Sequence, residues 1–209
     1  MRMLRKVFPV LLAAAAVIAV ARPAAAQQYN DEGIGFGVLG GLTNSTISTT
    51  DIVDENLKSS TGWMAGIWFG GNRNGHLGFM GEVSYVVKGA KDSTGTDELK
   101  IHYLEIPALV RINLGQTKNK AGVLFYPMVG PVFDIQLKNE LNGVDVSDQF
   151  NGFDFGILFG GGIEVARFAF EVRYNLGVKG IVSDNSGGFG DLQDSKNRSW
   201  QFVGKFRLN

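Results

Sequence analysis

From Phe153 to Lys179 hydrophobic and polar residues alternate with period two, and the rest of the chain is organised around that stretch. Phe155, Ile157, Phe159, Ile163 and Val165 share one parity, as do Phe168, Phe170, Val172, Tyr174, Leu176 and Val178 beyond Ala166-Arg167. The opposite parity carries Asp154, Gly156, Leu158, Gly160, Gly162 and Glu164, then Ala169, Glu171, Arg173, Asn175, Gly177 and Lys179. Successive side chains of a strand point to opposite faces. The pattern therefore predicts two antiparallel strands about a two-residue turn, with one apolar, aromatic face and one face of glycines and charges. In that register Gly162 faces Glu171 and Gly160 faces Arg173. A soluble sheet buries its apolar face on a second layer, whereas a membrane barrel turns that face to lipid and its polar face inward.

The same alternation recurs along the chain. A first strand is predicted over Gly33 to Thr43, then a Ser/Thr/Asp-rich loop from Asn44 to Ser60, and a second strand over Thr61 to Gly71 with Trp63, Ala65, Ile67 and Phe69 on one face. Asn72-Arg73-Asn74-Gly75 is a turn, since Asn-Gly supplies positive φ. Leu77 to Lys88 follows, with Phe79, Val83, Tyr85 and Val87 outward and Glu82, Ser84 and Lys88 inward. The fourth strand, Lys100 to Leu114, sets Leu104, Ile106, Ala108, Val110 and Ile112 against Tyr103, Glu105, Arg111 and Asn113. A short basic turn, Gly115 to Lys120, leads to a fifth strand over Ala121 to Ile135. It reads as apolar on both faces and holds Pro127 and Pro131, which remove ladder donors. The loop Gln136 to Gly152 precedes the central hairpin, the loop Gly180 to Arg198 follows it, and a last strand carries Trp200, Phe202 and Phe206 on one face.

The count is eight strands. Predicted connections are long after the first, third, fifth and seventh strands and short after the second, fourth and sixth. That regular alternation predicts an all-β, eight-stranded, antiparallel up-and-down transmembrane β-barrel, with long loops on one rim and short turns on the other. The competing reading is a secreted soluble sandwich or lipocalin-like barrel. It fits less well, because the polar parity is rich in glycine (Gly35, Gly37, Gly41, Gly62, Gly66, Gly156, Gly160, Gly162) where water-facing positions favour Lys, Thr or Glu. Glycine opposite a large charged partner fills a narrow barrel interior. Trp63, Tyr85, Tyr174 and Trp200 are candidates for interfacial girdles.

Composition sharpens this picture. The 209 residues include 29 glycines, no cysteine and equal numbers of basic and acidic side chains. The lack of cysteine excludes a disulfide scaffold and thiolate metal sites, and the balanced charge gives no basic stripe for nucleic acid. Residues 1–26 read as a cleaved secretory signal peptide: Arg2, Arg5 and Lys6, an apolar stretch from Val7 to Ala21, and Ala24-Ala25-Ala26 before Gln27. Residues 27–209 are then the barrel domain, exported through the inner membrane, with the lipid bilayer of the outer membrane as its principal partner.

Inward charges are expected at Glu82, Lys88, Glu105, Arg111, Asp154, Glu164, Glu171, Arg173, Lys179, Lys205 and Arg207. Ions away from bulk water are costly unless paired, and an eight-stranded barrel is just wide enough for side chains to fill it. An ionic plug without an open channel is the expectation.

Tyr103-Leu104-Glu105-Ile106-Pro107 resembles the signature of the PorT-type outer-membrane β-barrel proteins. Gly81-Glu82-Val83-Ser84-Tyr85, Gly160-Gly161-Gly162-Ile163-Glu164 and Arg173-Tyr174-Asn175-Leu176-Gly177 are similar to its neighbouring strands, so the resemblance covers nearly all of the chain after residue 26. It implies a gram-negative outer membrane and assembly by the barrel-insertion machinery. That machinery reads an aromatic residue near the end of many barrels, and Phe206 is the candidate here. The namesake subgroup is implicated in protein secretion, a role that the motif does not carry over by itself.

Other motifs yield no chemistry. Gly35-Phe36-Gly37-Val38-Leu39-Gly40 matches a dinucleotide fingerprint but precedes a Ser/Thr-rich loop where that site needs a helix. His76 and His102 lack metal-ligand spacing. The loop carboxylates (Asp51, Asp54 and Glu55; Asp145 and Asp148; Asp184, Asp191 and Asp194) lack fixed calcium-ligand spacing and read as solvated charge. No nucleophile with an adjacent base can be read from spacing, so neither an enzyme nor a cofactor is expected. The leading function is a structural or interaction protein presenting loops; the alternative is a small gated pore or an accessory part of a secretion assembly.

Overall fold

The computed structural model describes residues 33–48, 58–73, 75–91, 97–114, 123–145, 152–178 and 196–208. All but Gly33 lie within one unit, Ile34–Asn209. The predicted leader, Lys179, the basic turn and most of the loop carboxylates lie outside the described residues.

Eight long strands follow the predicted order: β1 (Gly35–Ser48), β2 (Lys58–Gly70), β3 (Leu77–Lys91), β4 (Glu98–Ile112), β5 (Val123–Leu141), β7 (Phe153–Val165), β8 (Phe168–Gly177) and β9 (Lys196–Arg207). A two-residue strand, β6 (Val144–Asp145), folds back on the end of β5 through Asn142 and Gly143, both at positive φ. Each long strand pairs antiparallel with its neighbour in the chain, β1 pairs β9, and the β4–β5 ladder completes the ring. Closure leaves no long strand with an open edge. Among the described residues there is no helix.

The exterior is apolar. Phe79 is 66 % exposed and Phe170 62 %, and Leu42, Ile67, Val172 and Phe202 stand beside them, while Glu105, Arg173 and Gln201 are fully buried. This is the inversion that a lipid-facing wall requires. Trp63 packs against Tyr85 with ring centroids 5.3 Å apart, and Tyr174 against Trp200 at 5.0 Å. Both pairs lie toward the ends of the strands on the rim of the predicted long loops.

The strands on that rim run further than the pattern predicts. Segments 44–48, 58–60, 89–91 and 136–141 are paired strand, although they fall outside the predicted strands because polar and small residues break the run of large apolar side chains there. Side chains help to hold them. Pairing of β2 with β3 shifts between Ser59 and Met64. At that break Thr43 Oγ1 donates to the Val87 carbonyl at 2.6 Å, Ser45 Oγ donates to the Gly89 carbonyl at 3.1 Å, and the Gly89 N–H returns a bond to Ser45 Oγ at 2.7 Å. Hydroxyls of β1 thus satisfy β3 backbone groups where β2 does not pair with it.

Prolines sit inside the ring without an edge to occupy. Phe125 and Leu114 exchange both backbone bonds, so by alternation Pro127 and Pro131 direct their nitrogens toward β4. Pairing of β4 with β5 lapses at both positions, between Pro107–Val132 and Val110–Val129 and again beyond Arg111–Met128. On the other side β5 pairs with β7 without interruption from Val123 to Ile135. Pro107 obeys the same rule toward β3, where pairing lapses between Gly81–Ala108 and Ser84–Glu105. Each missing donor falls at a gap in the ladder.

The Ala166-Arg167 turn is as predicted, with Val165 opposite Phe168, and the register places Gly162 opposite Glu171 and Gly160 opposite Arg173. Ala166 adopts a φ of 53°, where a β-carbon is strained. Replacing Ala166 by glycine is expected to stabilise the barrel by about 0.5–1 kcal/mol, relief of strain being partly offset by a more flexible unfolded chain. The urea midpoint in lipid vesicles reads this out; an unchanged or lower midpoint refutes it. At the next turn the positive φ values fall on Gly70 and Gly71, ahead of the Asn-Gly pair, and Asn74 lies outside the described residues.

Candidate functional site

The lumen is where charged side chains converge; those on strands reach it by parity, and Arg73 reaches it from the turn between β2 and β3. Ladder register sorts them into three levels along the barrel axis.

The middle level is a four-membered ion cluster. The Arg173 guanidinium forks onto both Glu82 oxygens at 2.7 and 2.6 Å and also bonds Glu171, through Nε at 2.7 Å and through Nη2. Lys205 lies 2.6 Å from Glu82 and 2.9 Å from Glu171, and Tyr126 Oη donates to Glu171 at 2.6 Å. Two cations thus meet two carboxylates, and the forked geometry is the strongest form of such a contact. Glycine makes the room. A β-carbon on Gly162 would stand 2.7 Å from Glu171 Cγ and 2.8 Å from Tyr126 Oη.

Toward the rim of the predicted long loops lies an acid-rich level. Glu105, Asp134 and Asp154 occupy consecutive ladder positions on β4, β5 and β7. Lys88 reaches Glu105 at 2.5 Å and Asp134 at 2.7 Å, and its ammonium lies 5.0 Å from the centre of the Tyr103 ring. Glu105 accepts further bonds from Gln201 at 3.0 Å and Asn175 at 3.1 Å.

Toward the short-turn rim the balance reverses. Glu164 is met by Arg73 at 2.9 Å, Arg111 at 3.0 Å and Arg207 at 3.2 Å. Arg111 also donates to the Gly71 carbonyl, which the positive φ of Gly71 helps to present, and its guanidinium stacks 4.5 Å from the Tyr126 ring centre. Arg207 lies 5.4 Å from the Trp68 ring centre. From one rim to the other the lumen therefore grades from acid-rich through balanced to base-rich.

The structure thus brings Glu82, Glu171, Arg173 and Lys205 together, Lys88 with Glu105, and Arg111 with Glu164 and Arg207, while Asp154 shares the level of Glu105 through the ladder. Sequence reasoning missed Asp134, Arg73, Tyr126 and Trp68. Asp134 shares its parity with Leu124, Tyr126, Met128 and Val132, a detectable signal inside a strand read as uniformly apolar. Arg73 sits on a turn, where parity carries no information. The lumen is also less purely ionic than expected: Leu39, Met64, Trp68, Met80, Leu109, Leu124, Met128 and Leu158 form a buried apolar cluster inside it.

The Tyr103–Pro107 motif now has physical content. Tyr103, Glu105 and Pro107 face inward and Leu104 and Ile106 face outward, with Glu105 anchoring the acid-rich level. On the exterior, Tyr85 Oη bonds His102 Nδ1 at 2.6 Å, and His102 Nε2 lies 3.6 Å from Glu140.

A closed antiparallel ring with an apolar outer wall and ionised groups within defines an integral β-barrel protein of the outer membrane. Comparison with known proteins makes that assignment more particular. The chain belongs to the family of outer membrane protein beta-barrel domains, whose pattern matches residues 25–183. No curated protein sequence matches it. Among solved structures it is similar to Ail, the attachment invasion locus protein of Yersinia pestis (16 % or 15 % identity in two structures, 85 % of this chain and 99 % of that one, TM-score 0.44). It is also similar to Neisserial surface protein A (16 % identity, 85 % and 100 % covered, TM-score 0.48) and to OprG from Pseudomonas aeruginosa (13 % identity, 85 % and 96 % covered, TM-score 0.47). Likeness at that level carries no argument about activity.

Proposed function

We propose that this protein is a non-channel structural or interaction barrel of the outer membrane, its lumen closed by its own side chains and its long connections offered to partners. One observation carries the reading. Arg173 is wholly buried and spans the lumen from β8 to Glu82 on β3, with Lys205 and Glu171 locked to the same pair. An ion path would have to part a forked, desolvated ion pair, which is costly. The reading is non-enzymatic, and its principal partner is the lipid bilayer, reached through the barrel-insertion machinery.

The test is conductance of the protein in a planar bilayer. Wild type is expected to pass no steady current, while the double variant Glu171→Gln/Arg173→Gln, with the middle cluster dismantled, is expected to flicker open. Reproducible unitary openings in wild type would overturn the closed lumen and favour the small gated pore. Within the family, the Tyr103–Pro107 motif supports a place near the PorT-type proteins, and with it the alternative of an accessory part of a secretion assembly. A stable partner recovered with the protein from solubilised outer membranes would favour that assembly.

A further inference from the structure

Three Asn-Gly pairs occur in the chain, at 74–75, 142–143 and 151–152, and of their asparagines Asn142 alone lies within the described residues. Asn142 and Gly143 are exposed and turn β5 into β6, with φ values of 52° and 82°, as a two-residue hairpin turn requires. Here the β4–β5 ladder ends in an unusual pair. The Asn142 N–H donates to the Glu98 carbonyl at 3.0 Å, as in any antiparallel pair. The return bond from the Glu98 N–H goes to the Asn142 side chain, Oδ1 accepting it at 2.9 Å where a strand residue would use its carbonyl. Nδ2 of the same amide donates to Asp97 Oδ1 at 2.6 Å. One side chain thus clasps the hairpin tip to the start of β4.

Asn-Gly is also the dipeptide most prone to lose its side-chain nitrogen, because glycine has no side chain to shield its N–H. The Gly143 nitrogen attacks Asn142 Cγ. The N–Cγ bond forms, the Cγ–Nδ2 bond breaks, and ammonia leaves with the Gly143 proton. Water then opens the cyclic imide at either carbonyl, leaving aspartate or isoaspartate at 142. Closing that ring needs rotation about both the Cα–C and the Cα–Cβ bond of Asn142. The turn resists the first rotation, and the bonds to Glu98 and Asp97 resist the second.

We propose that Asn142 is a site of spontaneous deamidation, that its clasp on β4 governs the rate, and that the product frees the hairpin tip. Either product puts a carboxylate where Nδ2 meets Asp97, so a hydrogen bond becomes a contact between like charges. Isoaspartate also lengthens the main chain within the turn and disturbs the pairing of Leu141 with Val144. The step consumes only water and cannot be reversed by it, so the tip is a one-way switch. It is read by mass alone and is independent of whether the barrel conducts.

The experiment incubates the protein, folded in lipid vesicles, in mildly alkaline buffer and follows the amide-to-acid mass gain at Asn142 by peptide mass spectrometry. Wild type is expected to convert several-fold more slowly than the urea-unfolded chain. Asp97→Ala, at an exposed position ahead of β4, is expected to convert several-fold faster than wild type. Heat-modifiable migration on gels verifies that each variant is folded. Hydrogen exchange reads the release: Asn142→Asp is expected to lose protection at the Glu98 N–H, and adding Asp97→Asn is expected to restore it by returning an amide opposite a carboxylate. Conversion of folded wild type at the unfolded rate overturns the proposal, as does an Asp97→Ala rate equal to that of wild type or no conversion in any sample. Wild-type protection at Glu98 in Asn142→Asp overturns the release of the tip.

Discussion

Arg173→Gln is expected to lower the folding stability of the barrel by about 3–5 kcal/mol, the cost of breaking a buried ion cluster by removing one partner. The size follows from what is left behind. Glu82 and Glu171 remain wholly enclosed by the barrel wall and, among the described residues, share a single cation, Lys205, with Tyr126 as the one further donor to Glu171. Glutamine reaches a similar distance but lacks the charge and the five-donor fork. Urea titration of the protein in lipid vesicles measures the loss. Adding Glu82→Gln is expected to recover part of it, since the second change removes the carboxylate that the first one orphaned. The double variant should then be more stable than the sum of the two single effects implies. A single variant within about 0.5 kcal/mol of wild type, the range of an uninvolved surface change, would mean that water screens the cluster. The closed lumen would then lose its main support.

The same cluster marks the boundary of what the sequence made legible. That Gly160 faces Arg173 and Gly162 faces Glu171 could be read directly, because a two-residue turn fixes hairpin register and period two does the rest. That Arg173 would choose Glu82, 91 positions away, could not. Partners across a lumen depend on strand tilt and stagger around the closed ring, which no local periodicity encodes. The strand ends failed for a different reason. Over Thr43–Ser48 only Ile47 is apolar, so the hydrophobic alternation vanishes while the backbone ladder and the Ser45 and Thr43 hydroxyl bonds continue. The prolines misled in the opposite direction. Pro127 and Pro131 weakened the fifth strand on paper, yet their missing donors fall where β4 and β5 are unpaired and the β7 ladder compensates.

Val172→Arg is expected to destabilise the barrel in a bilayer by about 2–4 kcal/mol, whereas Trp200→Arg should cost only about 0–1 kcal/mol through the arginine itself. Both side chains face outward and are about half exposed, so exposure alone gives no reason for the difference. Depth does. Val172 lies between Phe170 and Tyr174 on β8 and pairs with Phe202 on β9, inside the aromatic and aliphatic belt. Trp200 packs edge-on against Tyr174 one step nearer the rim, where a long cation can reach water and headgroups. Truncating Trp200 also sacrifices its ring contact, worth about 0.5–1.5 kcal/mol, so Trp200→Ala is the proper reference for that site. Folding equilibria of the four proteins in lipid vesicles separate these effects. Equal arginine penalties at the two depths would mean that the outer wall does not grade from hydrocarbon to interface as placed here. A Val172→Arg protein as stable as wild type would remove lipid as the medium that the exterior meets, and with it the reason for an apolar face turned outward.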